Sequence, residues 1–157
     1  MSEIYQDIPT YDNGTWTTTT FESREDFSNF IFGVFKEPGK YGFNDTTNQI
    51  FISESNKFRS DGVYCTAPFK SKDFINYWDD QKAKCRKGII VKDSGNTWFL
   101  AREYYMWLNF LPIFDKEIQK FGFAKIRDAQ YHMALYELLA ELNYKHVAIL
   151  KKRQIAS

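Results

Sequence analysis

The chain has 157 residues, with 21 lysines and arginines against 20 aspartates and glutamates, and the net charge of +1 gives no whole-chain attraction to nucleic acid or to an anionic membrane. The aromatic fraction of 18% excludes a disordered chain, and the length suits one domain with a substantial core. No apolar run approaches the roughly 18 residues that a membrane-spanning helix requires, and the polar, acidic N-terminus does not resemble a secretory signal peptide.

The N-terminal part of the chain predicts an extended segment followed by a helix. Residues 1–22 predict a flexible arm, since they are mostly polar and end in a run of threonines. A helix is predicted to start at Ser23, because Ser23 with Asp26 resembles a capping box in which each side chain satisfies a free backbone donor. Pro38 and Gly39 end this helix. Its apolar stripe consists of Phe27, Phe30, Ile31 and Val34.

Residues 41–70 show no helical pattern. Residues 41–43 and 49–52 are apolar runs on either side of a polar turn, so they predict a small β-hairpin. Residues 53–70 predict a long loop, because serine, asparagine, aspartate, glycine and proline dominate them.

The middle of the chain predicts a helix followed by a second hairpin. The helix covers residues 71–87, with Asp73 near its start and basic residues near its end, which is the arrangement that the helix dipole favours. Gly88 is a typical C-terminal stop. Residues 89–91 and 97–100 are then the strands of the hairpin, on either side of a turn at residues 94–96.

Two further helices and one strand follow. Residues 102–111 predict a short aromatic helix that ends before Pro112, because the residue before a proline resists helical geometry. Residues 128–142 predict the last helix, with Asp128 as its N-cap and Asn143 in the left-handed position that ends it. Residues 145–150 predict a buried strand. The fold class is therefore mixed α/β: helices and two small hairpins that lead into the first strand of a parallel sheet.

The C-terminal residues form the first candidate site. The apolar residues 146–150 are followed directly by Lys151, Lys152 and Arg153. A strand that enters a cationic loop is typical of the start of a phosphate-binding loop, which the N-terminus of a helix normally completes. The common glycine-rich form is absent, since no glycine follows Gly122. A solvated basic turn is the alternative interpretation.

Four segments, in this order, resemble the N-terminal region of tailed-phage terminase large subunits. They are Tyr77-Trp-Asp-Asp-Gln-Lys-Ala-Lys-Cys-Arg-Lys-Gly88, Tyr104-Tyr-Met-Trp-Leu-Asn-Phe-Leu-Pro-Ile113, Asp128-Ala-Gln130 and Lys151-Lys-Arg-Gln-Ile-Ala-Ser157. In many members an aromatic helix ending in Arg/Lys-Cys-x-x-Gly precedes a hairpin and a segment close to His-Tyr-Phe-x-Leu-Asn-Phe-x-Pro-Ile. A helix with an Asp-x-Gln element, a strand and a variant Walker A loop, Lys-x-Arg-Gln-x-Gly-x-[Ser/Thr], come next.

The resemblance covers roughly residues 71–157. It implies that residues 23–157 are the N-terminal part of a P-loop NTPase-like ATPase domain. This chain does not complete that domain, and by itself the chain is implied to be inactive. The parent implied is a motor that uses ATP and Mg²⁺ to package double-stranded DNA into a procapsid, with a nuclease domain elsewhere. A portal protein and a small terminase subunit are the implied partners, in a homo-oligomeric ring without membrane contact. The implied location is the cytoplasm of the bacterial host and not the mature virion.

The resemblance also assigns nucleotide-binding residues. Arg153 contacts phosphate with support from Lys152, and the loop backbone comes from Gln154, Ile155, Ala156 and Ser157. Gln130 hydrogen-bonds the adenine edge, since an amide donates and accepts at once; a surface glutamine is the alternative. Ala156 stands where the family usually has glycine, and its Cβ restricts the approach of the backbone to phosphate.

A basic group on the helix over residues 71–87 is a candidate for contact with DNA phosphates, which bind without sequence preference. A solvated helix face is the alternative interpretation, because Asp79 and Asp80 dilute the charge. The members of the basic group are Lys82, Lys84, Arg86 and Lys87.

The competing function for the whole chain is a complete, non-enzymatic small phage module that binds DNA or protein through aromatic and basic surfaces.

No metal site and no nucleophilic triad are predicted. The two histidines and two cysteines lack the close spacing that zinc sites favour. The spacing of serines, histidines and acids carries no triad signature. Cys65 and Cys85 are expected to be free thiols in a reducing cytoplasm.

Overall fold

The computed structural model describes residues 3–117 and 119–150 as a four-stranded mixed sheet, a small two-stranded sheet and six helices. The mixed α/β class predicted from the sequence is confirmed, whereas the continuation into a P-loop NTPase-like parallel sheet stays a prediction. The strands are β1 (Ile8–Asp12), β2 (Thr15–Thr19), β3 (Ile89–Asp93), β4 (Asn96–Leu100), β5 (Ile113–Asp115) and β6 (Lys120–Gly122). The helices are α1 (Arg24–Val34), α2 (Asp45–Phe51), α3 (Ser53–Asp61), α4 (Lys72–Lys87), α5 (Arg102–Phe110) and α6 (Asp128–Leu142).

The larger sheet has the strand order β2-β1-β3-β4. Strands β1 and β3 run parallel, whereas β1–β2 and β3–β4 are antiparallel hairpins. Each hairpin closes with a two-residue turn, Asn13-Gly14 or Ser94-Gly95, whose φ angles are all positive. Turns of this kind match the right-handed twist of the strands that they join. The predicted hairpin at residues 89–91 and 97–100 is thereby confirmed.

The prediction of a flexible arm is wrong for residues 8–19, which form β1 and β2. Strand β1 lies inside the sheet, and Ile8 and Thr10 are buried. Its pairing with β3 joins residues that are distant in the sequence, such as Thr10 and Ile90. A local pattern carries no signal for such a pairing, because the strand is stabilised by neighbours that the local sequence does not contain.

Residues 45–61 form helices and not the predicted hairpin and loop. Helix α2 follows Asn44, whose side-chain oxygen accepts a hydrogen bond from the N–H of Thr47 at 3.0 Å. This N-cap satisfies a free donor of the first turn. The apolar residue Phe51 of α2 is fully buried, so its burial stabilises a helix and not a strand. Helix α3 follows at once and ends at Gly62, which has a left-handed φ of 73°.

The other four helices are confirmed, with small shifts at their ends. Ser23 caps α1 and Ser71 caps α4, because their hydroxyl oxygens accept hydrogen bonds from Asp26 N at 3.1 Å and Phe74 N at 3.2 Å. Gly88 ends α4 as predicted, with a φ of 79°. Helix α5 ends at Phe110, one residue before the predicted end.

The ends of α6 and the segment after it differ from the prediction. The N-cap is Arg127, not Asp128, and the Arg127 side chain makes no capping hydrogen bond. The left-handed residue after the helix is Tyr144, with φ 55°, and not Asn143, with φ −103°. Residues 145–150 form no strand in the described part of the chain, and Leu150 is 98% exposed. The described strands pair only with one another, so this segment has no partner strand among them.

The core lies between the larger sheet and the helices α1, α5 and α6. Strand β4 contributes Trp98 and Phe99, and α6 contributes Tyr131, all of them buried. The ring of Tyr41, from the loop before α2, packs edge-on against Tyr131 with 4.7 Å between centroids. Trp98 Nε1 donates to the backbone oxygen of Tyr41 at 2.8 Å, which satisfies the indole inside the core.

Candidate functional site

The predicted nucleotide-binding residues fall into two groups. Residues 152–157 lie outside the described residues. Gln130 is described, and it lies half-buried in the first turn of α6. The surroundings of α6 therefore decide how the candidate adenine-contacting residue is held.

A tyrosine of α5 holds the start of α6. The backbone N–H of Arg127 donates to the hydroxyl oxygen of Tyr104 at 3.1 Å. Burial raises the pKa of Tyr104 to about 12, against a smaller lowering by this hydrogen bond. The hydroxyl is therefore protonated at neutral pH. Tyr104 fixes the turn that precedes Gln130.

The C-terminal end of α6 is a Schellman motif. The N–H of Lys145 donates to Ala140 O at 2.8 Å, and the N–H of Tyr144 donates to Glu141 O at 3.1 Å. These are the two hydrogen bonds that define the motif. Tyr144 occupies the left-handed position that glycine usually fills, so the turn contains a strained residue.

Arg24 of α1 binds this turn from the side. Its Nε donates to Leu142 O at 3.3 Å, and one Nη donates to Glu141 O at 3.2 Å. The guanidinium carbon lies 4.8 Å from the centre of the Tyr144 ring. A cation beside the free carbonyl groups of a helix C-terminus is favourable. Arg24 therefore offsets part of the strain at Tyr144.

A second arginine and an asparagine also tie down this end of α6. One Nη of Arg102 contacts both carboxylate oxygens of Glu141, at 3.1 and 2.8 Å. Desolvation lowers the pKa of Arg102, whereas hydrogen bonds and charge attraction from Glu103 and Glu141 raise it. The second effect is larger, so the pKa of Arg102 is raised overall. Asn143 Nδ2 donates to Ser28 Oγ of α1 at 2.9 Å. The exit of α6 is thus fixed on α1 and α5.

The structure separates the four basic residues predicted to contact DNA. Lys82 and Arg86 are exposed on α4. Lys87 is half-buried, and its Nζ donates to the backbone oxygen of Gln6 at 2.8 Å. Lys84 is 6% exposed and faces the protein interior. The four residues therefore do not form one solvent-facing basic surface.

Lys84 lies at the base of a groove of about 340 Å³ between the β1–β2 hairpin and the helices α2, α3 and α4. Its Nζ is 3.0 Å from the Asp80 carboxylate and 3.9 Å from the centre of the Trp16 ring. Both contacts give this side chain partners at a position that water scarcely reaches. The groove is lined by Tyr11, Trp16, Thr46, Gln49, Ile50, Ser53, Glu54 and Lys84.

A buried asparagine organises the helices around this groove. Asn109 of α5 is 0% exposed, and its Oδ1 accepts hydrogen bonds from the N–H groups of Glu54 and Ser55, both at 3.1 Å. Its Nδ2 donates to Phe51 O at 2.9 Å and to Tyr105 O at 3.1 Å. Helix α3 has no N-cap side chain of its own, so Asn109 supplies the cap from another helix.

Next to Asn109 lies a cluster of neutral phenols and one buried carboxylate. Glu54 accepts hydrogen bonds from Lys57 Nζ at 3.0 Å and from the hydroxyl of Tyr77. The hydroxyl of Tyr105 donates to Gln81 Oε1 at 2.5 Å. Burial raises the pKa of both tyrosines, and the charge of Glu54 raises them further. The two hydroxyls therefore serve as hydrogen-bond donors and not as bases.

The sequence pattern did not identify this cluster as a site. Asn109 stands between Leu108 and Phe110 in an otherwise apolar helix, and that contrast was the available signal. A lone buried amide must find partners for all its polar atoms, so it predicts a network. Its partners come from α2 and α3, which the sequence pattern did not predict as helices.

The described residues show no metal-binding constellation. Among them, no group of three or more histidine, cysteine, aspartate or glutamate side chains is placed to hold a metal ion. Cys65 and Cys85 are both free thiols, and burial raises the pKa of Cys85 to about 11. In the same part of the chain, every helix is too short or too polar to cross a bilayer.

Comparison with known proteins finds no match for this chain among family models, curated proteins or solved structures. Among the described elements, α6 carries Gln130 and leads toward residues 151–157.

Proposed function

We propose that this chain is the N-terminal part of a tailed-phage terminase large subunit, which drives double-stranded DNA into a procapsid by ATP hydrolysis. The observation that carries the proposal is the order of the first three motifs along helices α4, α5 and α6, with hairpin β3–β4 between the first two. The fourth motif lies outside the described residues, and the strand expected before it is not formed at residues 145–150. The chain by itself is proposed to be inactive, and the nuclease domain lies elsewhere in the parent.

The burial of Asn109 supports the proposal. The segment Leu108-Asn109-Phe110 belongs to the second motif, and an asparagine is an unusual residue in a helical core. Its hydrogen bonds to α2, α3 and α5 give the motif a physical role, since replacing it would leave buried backbone groups unsatisfied. A motif with a structural role of this kind is less readily produced by chance than an exposed one.

The length of α6 is also compatible with a shared nucleotide site. Gln130 and Leu142 are separated by about 18 Å along the helix, at 1.5 Å per residue. Residues 143–150 can span up to about 28 Å when extended. The Schellman turn at Tyr144 redirects the chain after α6. Residues 151–157 can therefore reach the level of Gln130, as contact with the two ends of one nucleotide requires.

ATP and Mg²⁺ are proposed as cofactors of the parent protein. In this proposal Gln130 contacts the adenine edge, Arg153 and Lys152 contact phosphate, and the backbone of residues 154–157 forms the loop. Bound Mg²⁺ supplies charge that offsets the negative phosphates. The guanidinium of Arg153 would add donors that suit phosphate geometry.

The proposed partners are double-stranded DNA, a portal protein and a small terminase subunit, with the parent arranged as a homo-oligomeric ring in the host cytoplasm. For DNA, Lys82 and Arg86 are the members of the basic group that face solvent. Contacts through these two residues would be independent of sequence and weakened by salt.

One observation favours the alternative, a non-enzymatic small phage module. Strands β5 and β6 form a hairpin that exposes Ile113, Phe114 and Phe121, and the last is 75% exposed. Phe114 and Phe121 pair across the strands with 5.2 Å between ring centroids. A hairpin with exposed aromatic side chains is typical of a surface that contacts another macromolecule.

ATP-dependent DNA translocation by the parent protein tests the proposal. We expect Arg153→Ala to abolish translocation and Gln130→Ala to raise the KM for ATP. Arg59→Ala is the matched control, since it removes an exposed arginine to which the proposal assigns no contact with nucleotide or DNA. A parent that hydrolyses no ATP would contradict the proposed function, and unchanged activity of Arg153→Ala would remove that residue from the site. A stop codon directly after codon 157 in an intact genome would favour the small module.

A further inference from the structure

The larger sheet has two edge strands, β4 and β2, and they differ in what covers them. In the β3–β4 hairpin, Asp93 and Asn96 flank the two-residue turn and form a hydrogen-bonded pair. From this pair onward, hydrogen-bonded and non-hydrogen-bonded pairs alternate along the two strands. Phe99 falls at a position whose N–H points away from β3. That N–H donates to the hydroxyl of Tyr131 at 3.1 Å, so a helix residue blocks this edge.

The register of the β1–β2 hairpin determines which backbone groups of β2 point outward. Asp12 and Thr15 flank the β1–β2 turn and form a hydrogen-bonded pair, and such pairs recur at every second residue. Thr17 and Thr19 therefore form hydrogen bonds with β1. Trp16 and Thr18 instead direct their N–H and C=O groups to the free edge. Pro9 lies opposite Thr18, at a pair where no hydrogen bond between β1 and β2 is expected. In the part of the chain that the structure describes, no hydrogen bond occupies these outward groups.

Strand β2 also lacks the usual protection of an edge. Its sequence, Thr15-Trp-Thr-Thr-Thr19, has no charge and no proline, and four of its five residues are exposed. Natural edge strands normally carry lysine, proline or a bulge that discourages pairing with another strand. Threonine and tryptophan instead favour strands.

We propose that two copies of this chain pair through β2 as an antiparallel, two-fold symmetric dimer, which joins two four-stranded sheets into one of eight strands. The inference is independent of the proposed function. A second copy fits the edge because its own edge is uncharged and offers the same outward groups. The register with Trp16 opposite Thr18 of the second copy uses every outward group of β2 and forms about four backbone hydrogen bonds.

This register makes specific side-chain contacts. Thr17 lies on the two-fold axis, directly opposite Thr17 of the second copy, at a non-hydrogen-bonded pair where α-carbons are about 4.5 Å apart. The two Trp16 side chains become diagonal neighbours at about 7–8 Å. Trp16 is 43% exposed in one copy, so its surroundings change on pairing.

The size of the contact sets the affinity. Two five-residue edges bury less than the roughly 1,200 Å² that stable complexes need. The dimer is therefore expected to be weak, so association must be followed to high protein concentration. Sedimentation equilibrium of the full chain from about 10 μM to about 1 mM should show the mean mass rising from 18.6 kDa toward twice that value. A constant monomer mass over this range would overturn the proposal.

Charges on the two-fold axis test the register. Thr17→Lys and Thr17→Glu each place two like charges directly opposite one another, and we expect each to weaken the dimer about fivefold. An equimolar mixture of the two variants should recover wild-type association, because opposite charges then meet. Thr15→Lys is the matched control, because it adds the same charge to the same face of β2. This lysine lies opposite the uncharged Thr19 of the second copy, so the Kd should change less than twofold.

Proline removes the edge donor itself. Thr18→Pro deletes an outward N–H while leaving the bonds between β1 and β2 in place, and we expect it to abolish dimerisation with an unchanged far-ultraviolet spectrum. Dimerisation that survives Thr18→Pro, or a mixture of the Thr17 variants that fails to recover association, would overturn the proposal. If the edge instead serves another protein or a segment of the same chain, the wild type stays monomeric, which also overturns it.

Discussion

Gly88 lies so close to Leu100 that a Cβ added to Gly88 would stand 2.5 Å from the carbonyl oxygen of Leu100. The same Cβ would lie 2.7 Å from the ring of Phe99. This contact joins the end of α4 to the end of β4. Only a residue without a side chain lets the two elements meet here, at a φ of 79°.

We expect Gly88→Ala to lower the free energy of unfolding by about 2–4 kcal/mol, because both the backbone conformation and the contact with Leu100 resist a methyl group. Urea denaturation measures the change. Gly33→Ala is the control, since Gly33 is an exposed residue of α1 with free space around it, and alanine there should stabilise by about 0.5–1 kcal/mol. Equal effects at the two positions would contradict the close contact.

Asn109→Leu should destabilise the protein by about 3 kcal/mol, because leucine removes the side-chain partner of three buried backbone groups, the N–H groups of Glu54 and Ser55 and the carbonyl of Phe51. Asn29→Leu makes the same exchange at an exposed position of α1 and should change stability by less than about 0.5 kcal/mol. The free energy of unfolding in urea is the measurement, and hydrogen exchange should show the largest loss of protection at the start of α3. A loss spread evenly over the chain would argue against a cap.

Local signals in the sequence identified several elements whose ends are set by neighbouring residues, although α2, which Asn44 caps, was missed. Ser23 and Ser71 cap their helices within three residues, and Gly88 ends α4, so these boundaries were predictable. Strand β1 was missed because its parallel partner is distant in the chain, as at Thr10 and Ile90. Helix α3 was missed because its cap is the side chain of Asn109, which belongs to another helix.

In the candidate site, too, features within one helix were predictable from the sequence and contacts between different elements were not. The basic residues of α4 were recognised from sequence, but Lys84 is buried because Trp16 of β2 covers it, and β2 was not predicted as a strand. Gln130 was correctly placed near the start of a helix, yet the tyrosine that fixes this helix start comes from α5. Spacing along one helix is visible in a sequence, whereas contacts between elements are not.

Tyr131→Phe should lower the free energy of unfolding by about 1–3 kcal/mol, because it removes the hydroxyl that accepts the N–H of Phe99 inside the core. The ring stays in place, so packing is preserved. Tyr136→Phe removes a hydroxyl from an exposed residue of the same helix and should be neutral. If both variants match the wild type in urea, the bond to Phe99 does not contribute to stability.

Cys85 should react slowly with alkylating reagents, since only the thiolate is the nucleophile and burial raises the pKa of Cys85 from 9.0 to about 11. In a Cys65→Ser background at pH 8, we expect folded protein to react about 100-fold more slowly than the same chain in urea. The pH profile separates this effect from simple shielding. The rate of the folded protein should keep rising to about pH 11, whereas that of the unfolded chain levels off above pH 9. Parallel profiles would contradict the shifted pKa.

Tyr144 and Arg24 should be energetically coupled. Tyr144→Gly relieves the strain of a left-handed φ of 55°, a gain of about 1 kcal/mol, but it also removes the ring on which Arg24 lies. The net effect in the wild type should therefore be small. In an Arg24→Ala background no such contact is lost, so the same glycine should gain the full amount.

A double-mutant cycle in urea measures this coupling, which we expect to be about 0.5–1 kcal/mol. Arg24→Lys is the matched control, because lysine keeps the charge near the carbonyls of Glu141 and Leu142 but lacks the planar fork that donates to both. It should retain only part of the coupling. Strictly additive effects of Arg24→Ala and Tyr144→Gly would show that the contact between these side chains does not stabilise the end of α6.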